Sequence, residues 1–192
     1  MSKDEIHYDI THISFLEKLW GDGYMSPGGK KEINRLLNGL DLTEKKILDV
    51  GCGAGGITVS LVKDYGAKEV IGVDVEEDVV NSAIKRVVKN RLKDNIEILL
   101  IGKSNLPFED NCFDMVFSKD SFVHIPDKEK IFSQVFKVLK PGGFFVFSDW
   151  LISHDLKPSK EMEYYLKLED LGFGMGSPLL YHNALKKSGF VS

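Results

Sequence analysis

Two side chains that can move a proton or hold a cation lie in the stretch SKDSFVHI, residues 118–125. Asp120 and His124 stand four positions apart, directly after the apolar run CFDMVFS. An imidazole can accept a proton near neutral pH, and a carboxylate can orient a cationic partner. The alternative is structural, because a histidine here could also begin or cap the helix that the following PDKEK indicates. The position directly after a predicted strand favours a role in catalysis.

The elements that must position this pair alternate regularly from residue 45 onward. Short apolar runs predict strands at KKILDV, EVIGVDV, NIEILLI, CFDMVFS and GFFVFSDW. Helical periodicity predicts helices through GGITVSLVKDY, near residues 76–92 and through DKEKIFSQVFKVL. This alternation predicts parallel pairing, and strands that are apolar along their whole length must be covered on both faces. The predicted fold class is α/β, a doubly wound and mostly parallel sheet with helices on both faces.

The segments outside this alternation predict a covered ligand site. Residues 10–20 have helical spacing and precede the turn-rich GDGYMSPGG, so we expect an N-terminal helix and loop that fold over the site as a lid. PSKEMEYYLKLEDLGF and SPLLYHNALKKSGF predict two later helices, each with Ser and Pro at cap positions. The predicted organisation is one domain, residues 1–192, with a lid (1–43), a cofactor-binding core (44–150) and substrate-side helices (151–192).

Composition narrows the class of partner. The 192 residues include 25 basic and 29 acidic side chains, a net charge of -4, and no long block of like charge. This pattern lacks the electrostatic footprint of a nucleic-acid binder, so a small-molecule substrate is expected and nucleic acid is not.

No targeting or metal signal is found in the sequence. The N-terminus has no apolar core of a secretion signal, and Ser148 and Asp149 interrupt the longest apolar run. We therefore expect a cytoplasmic protein that does not associate with membranes. Cys52 and Cys112 have neither metal-site nor disulfide-framework spacing, so no metal is expected.

The first predicted strand ends in ILDVGCGAGG, which gives Gly51, Gly53 and Gly56 the G-x-G-x-x-G spacing of a nucleotide-binding turn. Glycine allows a ligand to approach the backbone at a helix N-terminus, although a tight turn without a ligand has the same spacing. Asp74 ends the second strand, where a carboxylate can bind both hydroxyls of an adenosine ribose. These features fit NAD and S-adenosylmethionine equally.

Asp49 separates these two cofactors by charge. It lies two residues before Gly51, where we expect it to face the space that a dinucleotide would fill with its pyrophosphate. A carboxylate there repels phosphate and attracts the amino group and sulfonium of a methionine moiety. The sequence therefore predicts an adenosine ligand that carries a positive charge.

Taken together, ILDVGCGAGG, VIGVD, LPFEDNCFDMVFS and VLKPGGFFVFSD resemble the successive motifs of class I S-adenosylmethionine-dependent methyltransferases, over about residues 44–150. The resemblance implies sheet order 3-2-1-4-5, S-adenosylmethionine as cofactor and S-adenosylhomocysteine as product. It places Gly51 and Gly53 beside the methionine part and Asp74 on the ribose. By the resemblance we expect the β6/β7 hairpin of this fold to be missing or incomplete, so that either the chain is a truncated form or another copy covers the sheet edge. We expect a monomer or weak homodimer.

One segment departs from the family pattern. Many relatives have an acidic residue after the third strand that reaches the adenine amino group, whereas this sequence has Gly102 and Lys103 there. We expect backbone groups and Ile101 to hold the adenine instead. The full set of predicted cofactor-binding residues is Tyr24, Ser26, Asp49, Gly51, Cys52, Gly53, Asp74, Val75, Ile101, Gly102, Lys103, Ser118 and Asp120.

A narrower resemblance concerns the lid. Tyr8 and the segment LWGDGYMSPGG, together with Asp120-x-x-x-His124, are similar to phosphoethanolamine (phosphobase) N-methyltransferases and to sarcosine/dimethylglycine methyltransferases. The resemblance implies that Tyr8 and His124 form the catalytic pair. It also implies that Tyr24 and Ser26 close over the cofactor and that Asp120 orients the substrate amine or the cofactor. Ordinary lid packing is the alternative for both tyrosines.

The acceptor remains open at this point. Where phosphobase enzymes bind phosphate with an arginine and several tyrosines, this chain has Trp150, Tyr165, Glu169 and Leu171, and Glu169 would repel a phosphate. We therefore expect N-methylation of a small amine, either phosphoethanolamine-like or a glycine derivative. Trp150 and Tyr165 could hold an alkylated ammonium by cation–π contact. The predicted substrate-binding residues are Tyr8, Asp120, His124, Trp150 and Tyr165.

Other functions compete with this hypothesis. An O- or C-methyltransferase of a larger apolar acceptor, such as a quinone or terpenoid, would share the same motifs. So would a non-catalytic module that only binds the cofactor. A nicotinamide oxidoreductase is opposed by Asp49. A DNA-amine methyltransferase would need an Asn/Asp-Pro-Pro-aromatic motif after the fourth strand, and SKDSFV lacks it.

Overall fold

The structure is a computed structural model. It describes residues 8–103, 105–154, 158–169 and 173–191, with the backbone alone for residues 168 and 169. Leu171 and the side chain of Glu169 therefore lie outside the described part of the chain. Within the described ranges, no helix combines the length and the apolar character that crossing a membrane would require.

A five-stranded sheet forms the centre of the molecule, and its neighbouring strands are all parallel. The strands are β1 (Lys46–Val50), β2 (Glu69–Asp74), β3 (Ile96–Leu100), β4 (Phe113–Lys119) and β5 (Leu139–Ser148). Their order is β3-β2-β1-β4-β5, which confirms the predicted topology. Strand order reverses between β1 and β4, so the crevice for a ligand is expected beyond the carboxyl ends of these two strands.

Seven helices accompany the sheet in the described part of the chain. They are α1 (Ile10–Trp20), α2 (Gly29–Leu36), α3 (Gly56–Lys63), α4 (Glu77–Lys89), α5 (Lys128–Val138), α6 (Lys160–Glu169) and α7 (Pro178–Lys187). Two large apolar clusters cover the two faces of the sheet: α2, α3 and α4 contribute to one, and α5 and α7 to the other. A third, small cluster packs Ile13 of α1 against Ala54 and Val79, and so joins the lid to the glycine loop.

The helix caps follow the sequence signals closely. Ser177 accepts a hydrogen bond from the Leu180 amide at 3.0 Å, and Pro178 occupies the first turn of α7. The Ser159 hydroxyl accepts from the Met162 amide at 3.2 Å at the start of α6. Both helices therefore begin where their predicted Ser and Pro caps indicated.

The structure adds two local features. The lid contains a second helix, α2, for which the sequence analysis made no prediction, and its Ile33 is completely buried. His124 does not cap α5. It ends a separate 3₁₀ turn, Phe122–His124, while Asp127 caps α5 by accepting from the Lys130 amide at 3.0 Å.

Candidate active site

The glycine loop is fitted closely to the loop that follows β4. Gly51 has φ +71°, a left-handed conformation in which a side chain is strained, and a Cβ atom there would overlap the Ser121 side chain. The Gly51 and Cys52 amides both donate to the Val73 carbonyl, at 2.9 and 3.0 Å. The turn therefore needs glycine, and the ends of β1, β2 and β4 form one continuous cradle.

Asp74 lies at the carboxyl end of β2, facing this loop. Its Oδ2 accepts from the Gly53 amide at 3.0 Å, and its Oδ1 accepts from the Val75 amide at 2.8 Å. Burial raises the pKa of this carboxyl, against the lowering effect of these amide bonds. The carboxylate is therefore fixed at the strand end where a ribose is expected, and its contact with ribose stays a prediction.

Asp49 differs from the prediction. Its side chain is 1% exposed and lies beneath the loop, where the Thr58 hydroxyl of α3 donates to it at 2.6 Å. Burial raises the pKa of Asp49 to about 7, although the Thr58 bond acts in the opposite direction. The side chain is therefore more buried than the sequence indicated, and its bond to Thr58 ties the end of β1 to α3. A contact between this carboxyl and a cofactor stays a prediction.

A different feature opposes a dinucleotide. The Gly56 amide, at the N-terminus of α3, donates to the Gly23 carbonyl of the lid at 3.1 Å. A Cβ atom on Gly56 would collide with that carbonyl, so the two backbones are in direct contact. Pyrophosphate binds at such a helix start through free amides, and here a carbonyl occupies one of them. We therefore expect this contact of the lid with α3 to disfavour a diphosphate.

Arg86 of α4 fastens the lid in this position. Its Nε donates to the Ala54 carbonyl at 2.8 Å, and its guanidinium pairs with Glu17 of α1 and, at 3.0 Å, with Asp22. Glu17 in turn accepts from the Gly23 amide at 2.9 Å. These contacts join α1, the lid loop and the glycine loop, and the sequence analysis did not single out Arg86.

The predicted lid residues are divided between two environments. The Ser26 hydroxyl accepts a hydrogen bond from the Nζ of Lys119 at 2.8 Å, and its contact with a cofactor stays a prediction. Tyr24 packs against the apolar cluster that contains Ile33, and burial raises its pKa. This is the packing role that was the alternative for Tyr24, and its closure over a cofactor stays a prediction.

The predicted catalytic pair comes together across the fold. The ring centroids of Tyr8 and His124 are 6.4 Å apart with the rings nearly perpendicular. His124 also lies 5.1 Å from the ring of Phe173, and Tyr8 lies 5.0 Å from the ring of His12. The pair thus stands in an aromatic group beyond the carboxyl end of β4. Its catalytic roles stay predictions.

A buried lysine holds the 3₁₀ turn that bears His124. Lys128 is 2% exposed, and its Nζ donates to the carbonyls of Phe122 at 2.7 Å, Gly174 at 2.8 Å and Ile125. The Gly174 amide donates to the Val123 carbonyl at 2.6 Å. Burial lowers the pKa of Lys128, the expected direction for an ammonium removed from water. In the sequence Lys128 is one of several charged residues in PDKEK, and nothing there indicates that it is buried or that it holds the 3₁₀ turn.

Asp120 is part of a second buried charge group. Its backbone is left-handed, at φ +54°, and its amide donates to the Ser148 carbonyl at 2.9 Å. Its carboxylate is paired with the Nζ of Lys119, the last residue of β4. The predicted guide for a cationic substrate therefore already has a cationic partner, which the sequence analysis missed.

Two predicted cofactor residues have their side chains inside the protein. Ser118 is completely buried, and its hydroxyl donates to the Val50 carbonyl at 2.8 Å, which ties β4 to β1. Cys52 is buried, and burial raises the pKa of its thiol. The side chains of both residues are therefore turned into the protein, and contact of either residue with a cofactor stays a prediction.

The remaining predicted residues lie at strand ends or beyond them. Val75 follows β2, and Ile101 follows β3 with its amide donating to the Asp74 carbonyl at 2.9 Å. Gly102 and Lys103 come next and are exposed, at the sheet edge where adenine is expected. Trp150 follows β5, and Tyr165 lies on α6; they are 50% and 47% exposed. A role for these two in binding substrate stays a prediction.

A parallel sheet in this order, with a glycine turn after β1 and a carboxylate after β2, is the architecture of class I S-adenosylmethionine-dependent methyltransferases. A family model described as a methyltransferase domain matches residues 42–171. This chain therefore belongs to the methyltransferase family, and the resemblance inferred from its motifs is confirmed.

Individual relatives agree with this assignment. Phosphoethanolamine N-methyltransferase 1 of Zea mays is 34% identical over 188 residues, which cover 97% of this chain and 36% of that protein. The structure of Haemonchus contortus phosphoethanolamine N-methyltransferase 2 in complex with S-adenosyl-L-methionine has a TM-score of 0.88 at 28% identity, and the match covers 98% of this chain and 43% of the other. A putative sarcosine dimethylglycine methyltransferase from Galdieria sulphuraria has a TM-score of 0.78 at 26% identity, with 94% and 74% covered. The chain thus spans little more than a third of the maize relative.

Proposed function

We propose that this chain binds S-adenosylmethionine and transfers its methyl group to the nitrogen of a small amine. Membership of the methyltransferase family supports the reaction class. The names of the maize and Haemonchus relatives support an amine acceptor related to phosphoethanolamine, and the Galdieria relative supports a glycine derivative.

The glycine cradle suits a cofactor that carries an adenosine and a positive charge. Gly51 and Gly53 both have positive φ, which brings the backbone within reach of a ligand. Asp74 would hold the ribose from the end of β2, and Ile101 would pack beside the adenine. When bound, S-adenosylmethionine supplies an electrophilic methyl group. The carbonyl of Gly23 at the start of α3 favours this cofactor over a diphosphate.

The closeness of Tyr8 and His124 is the observation that carries the proposed reaction. A small amine is largely protonated at neutral pH, so a proton must leave its nitrogen before that nitrogen can attack a methyl group. His124 accepts this proton at a ring nitrogen, and the Tyr8 hydroxyl holds the amine in line with the methyl group. Holding the reacting groups in line and away from water supplies most of the acceleration in such a transfer.

The aromatic surroundings of the pair support an amine as acceptor. The rings of Tyr8, His12, His124 and Phe173 form one contiguous group. Aromatic faces attract alkylated ammonium groups, each contact contributing about 0.5 to 2 kcal/mol. A substrate that becomes more alkylated with each transfer is therefore well matched to this part of the crevice.

A methylation screen by mass spectrometry tests the proposal. The purified chain is incubated with S-adenosylmethionine and, separately, ethanolamine, phosphoethanolamine, glycine, sarcosine, dimethylglycine, a phenol and a quinol. We expect a mass gain of one methyl group on at least one amine and on neither ring compound. Methylation of the phenol or quinol alone would overturn the amine assignment, and the absence of any product would overturn the activity.

A matched pair of histidine variants tests the role of the catalytic pair. His124→Ala should lower turnover about 10²- to 10⁴-fold, the usual contribution of general-base catalysis, while S-adenosylhomocysteine affinity stays near the wild-type value. His182→Ala changes an exposed histidine on α7 and should leave turnover unchanged. Wild-type turnover in His124→Ala would assign the imidazole to structure instead.

A further inference from the structure

One ammonium group joins the lid to the active site. The Lys119 side chain is 1% exposed, and its Nζ donates at 2.8 Å both to the Ser26 hydroxyl and to the Pro27 carbonyl. The same Nζ lies 3.2 Å from Glu32 of α2 and is paired with Asp120. Three of these four partners belong to the lid, and the fourth belongs to the loop after β4.

The charges in this group make the two sides dependent on each other. Lys119 carries one positive charge, while Glu32 and Asp120 each carry a negative one, and their side chains are only 23% and 14% exposed. Glu32 keeps a second, more exposed cation in Arg35 at 3.4 Å, but removal of Lys119 takes away the cation paired with Asp120. Loss of a buried cation of this kind is more costly than loss of an exposed ion pair. If the lid moved away, Lys119 would lose Ser26 and Glu32 together.

The backbone at this point also needs an external restraint. Asp120 has a left-handed conformation, which costs roughly 1 to 2 kcal/mol for a residue with a side chain. Its amide bond to the Ser148 carbonyl and its pairing with Lys119 compensate for that cost. The direction of the Asp120 carboxylate is thus set by the position of the lysine, and the lysine is held by the lid.

We propose that Lys119 is a positioning residue that couples docking of the lid, through Ser26, Pro27 and Glu32, to the orientation of Asp120 in the active site. Its importance for turnover rests on the proposed function, whereas its effect on the lid does not. The Lys119 ammonium itself does not touch the reacting atoms. Docking of the lid and orientation of the Asp120 carboxylate by Lys119 therefore occur together.

Three variants test the coupling. Lys119→Met removes the contacts of the ammonium with the lid and with Asp120. Glu32→Gln removes only the ion pair between Lys119 and the lid. Lys30→Met is the matched control, because Lys30 lies on the same helix α2 as Glu32 but is 60% exposed in its ion pair with Asp64. For each variant we would measure amide hydrogen exchange of residues 21–32 and the affinity for S-adenosylhomocysteine. We would also measure kcat, and KM both for S-adenosylmethionine and for whichever acceptor the screen identifies.

We expect exchange of residues 21–32 to accelerate about tenfold in Lys119→Met and in Glu32→Gln, a size typical of coupling between two sites. Lys119→Met should also lower kcat, because Asp120 is released, while Glu32→Gln should mainly raise KM for the cofactor. Since both variants disrupt one network, the double variant should be less affected than the sum of the two. Lys30→Met should match wild type.

The lid and cofactor measurements separate this inference from the proposed function. Suppose that no acceptor is methylated but Lys119→Met still accelerates exchange of residues 21–32 and weakens S-adenosylhomocysteine binding. Docking of the lid by Lys119 would then be supported, and the proposed activity would fail. Wild-type exchange in both Lys119→Met and Glu32→Gln would overturn the coupling. Faster exchange with an unchanged kcat in Lys119→Met would overturn the control of Asp120.

Discussion

The two halves of the active-site edge are held in different ways. On the β1–β2 side, the glycine loop is fixed by amide bonds to the Val73 carbonyl and to Asp74, its neighbour in the sheet. On the β4 side, the loop from Asp120 to His124 is fixed by the ammonium groups of Lys119 and Lys128, which reach segments far away along the chain. The first half is specified by backbone conformation, and the second by buried charge.

This difference indicates which half can move. A turn that depends on left-handed glycines and sheet hydrogen bonds has little freedom as long as the sheet is folded. A loop that depends on one cation can be released by the loss of a single partner, without unfolding the domain. The proposed selection against a diphosphate would therefore depend on the lid as well as on the glycine loop, since the Gly23 carbonyl belongs to the lid.

The largest expected effect is on the pH dependence of stability and concerns Asp49, on the β1–β2 side of the active-site edge. Burial raises the Asp49 pKa from 3.8 to about 7, so the folded protein keeps a proton that the unfolded chain releases. Stability should therefore fall as pH rises from 4 to 7, by about 3 kcal/mol of the total of about 4 kcal/mol that the shift is worth at about 1.4 kcal/mol per pKa unit. Urea unfolding of Asp49→Asn should show a much shallower fall, with a residual slope from Asp74, whose pKa is also raised.

Thr58 provides the complementary variant. Its hydroxyl bond lowers the Asp49 pKa, so Thr58→Val should raise that pKa further and extend the fall in stability above pH 7. An unfolding profile of Asp49→Asn that parallels wild type from pH 4 to 7 would instead show that this carboxyl is hydrated in the folded protein.

The next largest effect is on the free energy of unfolding and concerns Lys128, on the β4 side of the active-site edge. Lys128→Met should lower the free energy of unfolding by about 3 kcal/mol, because three buried carbonyls lose a charged donor worth about 1.5 to 3 kcal/mol per bond, partly offset by the lysine's desolvation. Lys137→Met, on the exposed face of α5, is the control and should stay within about 0.5 kcal/mol of wild type. Equal stability of the two variants in urea would mean that Lys128 does not hold the His124 turn.

The smallest expected effect concerns the contact between the glycine loop and the lid, at Gly56 and Gly23. Gly56→Ala places a methyl group against the Gly23 carbonyl and should push the lid away, at the cost of one hydrogen bond worth about 1 kcal/mol. Alanine favours the helix α3 by a similar amount, so global stability should hardly change. Hydrogen exchange should accelerate in residues 21–28 and stay slow in β1 and β4. Unchanged exchange in the lid would contradict direct packing of the two backbones.

Much of the fold could be predicted from the sequence because its signals are local. Apolar runs separated by helical periods fix the strands, and the glycine spacing with Asp74 fixes the loop after β1. The caps Ser177 and Pro178 mark the start of α7. Each of these signals is read within a few residues, and sheet order followed from the motif resemblance.

The contacts of the buried lysines and of Arg86 could not be predicted, because the residues that they bond to are distant in the sequence. Lys119 bonds to Pro27 at a separation of 92 positions, Lys128 to Gly174 at 46, and Arg86 to Glu17 at 69. A lone lysine or arginine in a mixed-charge segment gives no sign that it is buried. Asp49 was misjudged for a related reason: the spacing shows where a residue lies along a strand but not how deeply the next helix covers it.

Calorimetric titration of the chain with S-adenosylhomocysteine and with NAD tests the central claim most directly, because the Gly23 carbonyl occupies a helix-start amide that a diphosphate would use. The account predicts saturable binding of S-adenosylhomocysteine and no measurable heat with NAD. Saturable binding of NAD together with no binding of S-adenosylhomocysteine would contradict it.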